Sequence, residues 1–155
     1  MKKSRSISIR WRKYNIMRNE DKKIGVSQKA VILDTGGKIL AIRRSNTHPL
    51  RPKGWDIPGG DLEFGEDAKE GIRREIAEET GLEVSELKVI DAMSWSNERG
   101  EFWVTIYYTA KAGTDLVKLS WEHDDFKWVA PDEFQQLDVL PRIKQLVAFA
   151  SSKFN

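Results

Sequence analysis

Residues 55–82 read WDIPGGDLEFGEDAKEGIRREIAEETGL, and this stretch decides how the rest of the chain is interpreted. Good helix formers fill residues 66–80, and acidic residues crowd the first turn, where the helix dipole favours negative charge. Gly81 stands where helices commonly end in a left-handed residue. The sequence therefore predicts a helix of about four turns from Glu66 to Thr80.

One patch of this helix carries three glutamates. Glu75, Glu78 and Glu79 are three and four residues apart, so their side chains emerge together. Arg74 is the adjacent basic residue, and one guanidinium cannot neutralise three carboxylates. Clustered oxygen ligands without Cys or His suit a hard divalent cation, Mg²⁺ or Mn²⁺, better than zinc. The alternative is an exposed acidic helix face.

Glycines argue against that alternative. Pro58-Gly59-Gly60 predicts a backbone turn before the helix, at which glycine lets a ligand or another segment approach closely. Gly71 lies mid-helix, at a cost of about 1 kcal/mol against alanine, and on the same side as Glu75. Its missing side chain leaves room for a substrate or for another backbone segment.

Residues 60–82 resemble the signature of the Nudix hydrolase family. They fill each fixed position of G-x5-E-x7-R-E-(aliphatic)-x-E-E-x-G-(aliphatic), and residues 55–59 are also similar to the family. The resemblance implies an α/β fold, the Nudix α/β/α sandwich with a mixed β-sheet between helices. Strands interleaved with two substantial helices favour the same architecture. The implied activity is Mg²⁺-dependent hydrolysis of a phosphoanhydride bond.

This chemistry assigns a metal-binding role to the carboxylates. Ions held by Glu75, Glu79 and Glu78 would bridge diphosphate oxygens and lower the pKa of a bound water. By resemblance, the Gly59 carbonyl is a further metal ligand. Glu78, Glu75 and Glu122 all remain candidates for the general base.

Other motif residues have supporting roles in this interpretation. Arg74 is expected to orient a catalytic carboxylate, and Gly60 to approach the substrate. Glu66 is expected to brace the glycine loop through backbone amides, and Gly81 to end the helix.

Three candidates lie outside the motif. The resemblance places Arg44, at the end of a predicted strand, near a substrate phosphate, with an exposed strand end as the alternative. Glu122 and His123 match a Glu-His pair that supplies a metal ligand or a catalytic base in some Nudix subgroups. An exposed acidic loop is the alternative there.

The remaining pattern predicts a mixed sheet and a second helix. Strands are predicted at residues 30–33 and 38–42, which form a hairpin around the glycine turn of residues 34–37, and at residues 87–93, 101–110 and 126–129. The helix is predicted at residues 140–150. Both faces of residues 101–110 carry apolar side chains, so this strand belongs in the middle of the sheet. Trp95, Trp103 and Tyr107 are candidates for stacking on a nucleobase, although aromatic residues there also fit a core.

Composition favours one domain in a cytoplasmic protein. The chain has 155 residues, 39% of them apolar, and no cysteine, which excludes disulfides and thiol chemistry. No apolar run reaches the length that spans a membrane, so no membrane partner is expected. A monomer and a homodimer both remain open.

The first residues differ from the rest in charge. Residues 1–16 carry six basic residues and no acidic one, so 20 basic and 24 acidic residues follow them. We expect residues 1–24 to form a flexible basic tail and residues 25–155 the hydrolase domain. The alternatives are a nucleic-acid or membrane contact, a targeting segment, or an extension before a start at Met17.

The expected substrate is a nucleotide. The Glu122-His123 pair favours a (deoxy)nucleoside triphosphate, oxidised forms included, split into monophosphate and pyrophosphate. ADP-ribose, nucleotide sugars and dinucleoside polyphosphates are alternatives, as is a non-catalytic nucleotide-binding module. Such modules usually lack one or more carboxylates, and here the motif is complete.

Overall fold

The computed structural model describes residues 23–154, in which strands alternate with helices. The strands are β1 (Ile24–Leu33), β2 (Ile39–Arg44), β3 (Trp55–Asp56), β4 (Val84–Ser96), β5 (Phe102–Ala112) and β6 (His123–Val129). The helices are α1 (Ala68–Thr80), α2 (Pro131–Phe134) and α3 (Pro141–Phe154). Within the described range, none of the helices combines the length and apolarity needed to cross a bilayer. Most of the predicted basic tail, residues 1–22, lies outside the described residues.

The six strands form one mixed sheet. Its order is β3-β2-β1-β5-β4, and β6 also pairs with β2. β1 and β5 run parallel from Ile24 opposite Phe102 to Leu33 opposite Lys111, whereas the other pairs are antiparallel. The predicted hairpin of β1 and β2 is confirmed, and so is the interior position of β5.

Helix α1 begins and ends through local capping. The Asp67 side chain accepts hydrogen bonds from two backbone amides of the first turn, at 2.9 and 3.2 Å. Gly81 adopts a left-handed conformation with φ of 68°, and its N–H donates to a carbonyl of the last turn. The helix therefore starts at Ala68, two residues after the predicted Glu66, because Asp67 is the capping residue.

Helices α1 and α3 cover opposite faces of the sheet. Alternate residues of a strand face opposite sides, so Ala30 and Ile32 pack toward α1 while Val31 packs toward α3. Ile72 and Ile76 supply the buried stripe of α1. The sheet between two helical layers confirms the predicted α/β/α sandwich.

Candidate active site

The glycine turn is fixed to strand β1 by backbone hydrogen bonds. Gln28 N–H donates to the Gly60 carbonyl at 2.7 Å, and Ala30 N–H donates to the Pro58 carbonyl at 2.9 Å. Gly59 has a φ of 140°, and a Cβ there would overlap the Gln28 carbonyl oxygen. Only glycine lets the turn lie this close to the strand.

Glu79 reaches from helix α1 to this turn. Its carboxylate is buried, with 8% of the residue exposed, and accepts a hydrogen bond from Gly59 N–H at 2.8 Å. Burial raises the pKa of Glu79 to about 7, although Lys29 and the Gly59 amide oppose the rise. With this raised pKa, part of the Glu79 population is protonated near neutral pH. A cation at the site would favour the charged form.

Glu75 lies against the next residue of the turn. A Cβ on Gly60 would overlap the Glu75 carboxylate, so glycine is again what permits the contact. Burial raises the pKa of Glu75, and Arg74, whose Nη1 donates to Oε1 at 2.7 Å, opposes that rise. Glu78 differs, because 59% of its side chain is exposed and Arg74 is its ion-pair partner, at 3.3 Å. The structure thus brings Glu75 and Glu79 to the turn and leaves Glu78 at the rim.

Arg74 links the helix to the loop before it. Its Nε and Nη2 donate to the two carboxylate oxygens of Glu66 at 2.8 and 3.0 Å, a bidentate pair. The hydrogen bond from Arg74 lowers the pKa of Glu66, which also accepts from Glu63 N–H at 3.1 Å. This arrangement supports the predicted roles, Arg74 orienting Glu75 and Glu66 bracing the loop.

The space beside Gly71 is occupied by the protein itself. A Cβ there would lie 2.7 Å from Leu62 Cδ1 and 2.8 Å from both Gln28 Oε1 and Glu66 Oε2. The sequence left two uses open for the space beside Gly71, a substrate or another segment of the chain. The structure shows the second, because side chains of the protein pack closely there.

Arg44 and two residues not predicted from the sequence form an ion-pair cluster beside the turn. Asp56 Oδ2 accepts from Arg44 Nη2 at 2.8 Å and from Lys29 Nζ at 3.1 Å. Lys29 also lies 3.1 Å from the Ile57 carbonyl and 3.5 Å from the Gly59 carbonyl. Burial alone would raise the pKa of Asp56, but Lys29 and Arg44 outweigh it and lower that pKa. Arg44 therefore reaches the site as a partner of Asp56. The available signal for Lys29 was its position directly before the apolar run of residues 30–33.

His123 lies behind Glu79 at the start of β6. Only 7% of it is exposed, its Nδ1 has no hydrogen-bond partner among the described residues, and its Nε2 is 4.0 Å from Glu79 Oε1. Burial, reinforced by Lys29, lowers the pKa of His123 to about 4, so the ring is neutral at pH 7. Glu122 is half-buried in the preceding loop. Its backbone carbonyl accepts a hydrogen bond from Ser45 N–H at 2.7 Å.

The donor atoms at the turn suit a hard divalent cation. Across residues 23–154, no three His, Asp or Glu side chains converge closely enough to chelate an ion by themselves. However, Glu79 and Glu75 lie against consecutive residues of the turn, Gly59 and Gly60, and after burial the nearby charge of Glu75 adds to the rise in the pKa of Glu79. Carboxylate oxygens in this situation, next to a glycine carbonyl, are the ligands that Mg²⁺ takes alongside water and phosphate.

An indole pair lies on the sheet face that α3 partly covers. Trp95 and Trp103 stack with centroids 6.0 Å apart and an angle of 16° between the rings, and Trp95 is 40% exposed. Tyr107 is 4% exposed and belongs to the core. Of the two interpretations left open for Tyr107, base stacking and core, the structure supports the core, because its ring packs in the cluster beneath α3.

Comparison with known proteins agrees with this geometry. Residues 23–149 match the NUDIX domain family. The chain is 32% identical over 111 residues to a MutT-like protein of Streptomyces ambofaciens, covering 72% of this chain and 67% of that one. It is 24% identical to the nucleoside triphosphatase NudI of Escherichia coli, covering 70% and 84% of the two chains.

A solved structure shows the same fold. The MutT protein of Methanosarcina mazei superposes with a TM-score of 0.70 at 26% identity, covering 86% of this chain and 96% of that one. The domain match spans most of the chain and includes the whole glycine turn and helix α1. The chain therefore belongs to the Nudix hydrolase family and is an enzyme of the pyrophosphohydrolase class.

Proposed function

We propose that the enzyme hydrolyses nucleoside triphosphates, oxidised forms included, to a monophosphate and pyrophosphate with the help of Mg²⁺. The observation that carries the proposal is the pair of carboxylates, Glu75 and Glu79, held against the Gly59-Gly60 turn. The relative NudI, named a nucleoside triphosphatase, supports this substrate class.

Four groups of the chain would hold the cation. Glu79 provides buried oxygens, Glu75 those of a side chain that is 16% exposed, the Gly59 carbonyl a neutral oxygen, and Glu78 the oxygens at the rim. When bound, Mg²⁺ neutralises charge on the phosphoryl oxygens and lowers the pKa of a coordinated water. Mn²⁺ would serve the same donor set.

The rest of the site prepares these groups. Arg74 holds Glu75 against the turn while Glu66 holds Arg74, so the carboxylate loses little orientational freedom when the substrate arrives. Lys29 and Arg44 place two positive charges beside the turn, where they favour the approach of an anionic polyphosphate.

Glu78 is the carboxylate best placed to take the proton from the attacking water. Its side chain is 59% exposed, whereas that of Glu75 is 16% exposed and Glu79 is buried against the turn. Glu122, half-buried in the loop before β6, is the second candidate. Exchange of either by glutamine separates them, because the general base shapes the pH profile of kcat.

The test is a substrate panel. Phosphate and pyrophosphate release would be measured from normal and oxidised nucleoside triphosphates, ADP-ribose, nucleotide sugars and diadenosine polyphosphates, with Mg²⁺ and with EDTA. We expect metal-dependent pyrophosphate release from a triphosphate. Faster turnover of ADP-ribose or of a nucleotide sugar would overturn the proposed substrate, and unchanged rates in EDTA would overturn the metal.

A further inference from the structure

Arg142, in the first turn of α3, has guanidinium nitrogens without hydrogen-bond partners in the described part of the chain. The Nε and Nη2 atoms of Arg142 are buried, and neither has a hydrogen-bond partner among residues 23–154. Five other arginines of the described part each donate to at least one acceptor; they are Arg43, Arg44, Arg51, Arg73 and Arg74. Buried donors without acceptors are rare because they lose their hydrogen bonds to water without replacement. Arg142 therefore calls for an explanation that the others do not.

The two unpartnered nitrogens belong to one edge of the guanidinium. The N–H of Nε and one N–H of Nη2 point in the same direction, and together they form the fork that binds two adjacent acceptors in one plane. The unmet requirement is thus not two separate hydrogen bonds. It is one bidentate partner.

The surroundings of Arg142 supply no acceptor for its Nε or Nη2 atom among the described residues. The guanidinium lies 4.9 Å above the centroid of the Tyr107 ring, whose π-electrons partly compensate the charge. No acidic residue is present in the first turn of α3, where the positive end of the helix dipole adds to the charge of Arg142. Within the described residues, the guanidinium thus lies near the N-terminal end of a helix, and its Nε–Nη2 edge lacks an acceptor.

Arg142 is connected to the glycine turn through the sheet. Tyr107 of β5 lies directly opposite Lys29 of β1 in the parallel register. Lys29 in turn contacts the Gly59 carbonyl at 3.5 Å. The guanidinium therefore lies one strand away from the lysine that borders the candidate metal-binding turn, on the same face of the sheet.

The exposed indole pair lies further along the same strand face. Trp103, Thr105 and Tyr107 alternate along β5 and so point to one side. Trp95 Nε1 donates to Thr105 Oγ1 at 3.0 Å, which holds its ring over the strand and against Trp103. An aromatic platform and a bidentate donor thus share the face that leads to the turn.

We infer that Arg142 binds the nucleotide substrate through two adjacent acceptor atoms, which its Nε and Nη2 fork engages. The inference rests on the proposed nucleotide function and specifies how the site holds its substrate. A guanine presents such a pair in O6 and N7, and a phosphate presents one in two of its oxygens. Stacking on Trp95 would hold the base while the fork recognises its edge.

The test is equilibrium binding in EDTA, where no turnover occurs. Dissociation constants of GMP, AMP and inorganic phosphate would be measured by calorimetry for the wild type and Arg142→Met. If the fork takes a base edge, GMP binds about fivefold or more tighter than AMP, and Arg142→Met removes that difference. If it takes an oxyanion, Arg142→Met weakens phosphate binding by a similar factor. Constants that all stay within about twofold of wild type would overturn the inference.

Two further variants separate the fork from charge and from folding. Arg142→Lys keeps the charge without the fork and should lose as much affinity as Arg142→Met, whereas wild-type binding by Arg142→Lys would overturn the bidentate contact. Lys153→Met removes a cation that lies over Phe149 at the far end of the same helix and should bind normally. Melting curves identify variants that fail to fold. Because hydrolysis is measured separately, an enzyme that selects GMP without splitting any triphosphate would refute only the proposed function.

Discussion

Replacing Glu79 with glutamine is expected to stabilise the metal-free protein while removing its activity. Glutamine can keep the hydrogen bond from Gly59 N–H, which the carboxylate accepts at 2.8 Å, so the turn should stay in place. The charge is what disappears. That charge is costly without a cation and needed with one.

The magnitude follows from the burial of the carboxyl group. Burial raises the pKa of Glu79 from 4.5 to about 7. At about 1.4 kcal/mol for each pKa unit, the ionised carboxylate costs the folded state about 3 kcal/mol. The folded pKa lies above the unfolded one, so this penalty is absent below pH 4.5, grows as the pH rises, and is complete above about pH 8.

The assay is thermal unfolding in EDTA at pH 5 and pH 8.5, followed by circular dichroism. At pH 8.5 Glu79→Gln should melt about 5–10 °C above wild type, and at pH 5 the two should melt within about 2 °C of each other. Glu83→Gln, at an exposed residue just beyond α1, is the control and should show no such pH dependence. With Mg²⁺, Glu79→Gln should turn over about a hundredfold or more slowly. A lower melting temperature at pH 8.5, or the same difference at both pH values, would refute the reasoning.

Three other predictions concern the turn and its supports. Gly59→Ala should lower the free energy of unfolding by about 2 kcal/mol or more, because its Cβ would overlap the Gln28 carbonyl and its φ is 140°. Denaturant titration measures this change. The control is Gly36→Ala, whose Cβ meets only Asp34 Oδ1, at 3.4 Å. Lys29→Met should raise the pKa of Glu79 further, since Lys29 opposes the effect of burial; carbon-13 NMR titration measures it, and an unchanged pKa would contradict the assigned contact. Glu66→Gln should weaken Mn²⁺ binding about tenfold, because the bidentate pair that fixes Arg74 is lost; unchanged affinity would show that Arg74 needs no such support.

Local signals were sufficient to predict the main elements of the fold. Helix α1 was predicted from its helix formers, its acidic first turn and Gly81, and the β1-β2 hairpin from two apolar runs around a glycine turn. The start of β1 was not predicted, since Ser27, Gln28 and Lys29 do not resemble a buried strand. They are held there by partners distant in sequence, such as Thr105 for Ser27 and Tyr108 for Gln28.

The candidate site was predictable where spacing along one helix brings residues together. Glu75, Glu78 and Glu79 are neighbours in any α-helix, so their grouping needs no tertiary information. The contribution of Lys29 depends on β1 passing under the glycine turn, which spacing does not reveal. The burial that separates Glu79 from the exposed Glu78 likewise arises from packing against that turn.

The most direct test of the carboxylate site is Mn²⁺ binding, measured by electron paramagnetic resonance in the absence of nucleotide. The wild type should bind the ion, and Glu75→Gln and Glu79→Gln should each weaken binding about tenfold or more, while Glu83→Gln should bind normally. Wild-type affinity in both Glu75→Gln and Glu79→Gln would contradict the assignment of a divalent cation to the glycine turn.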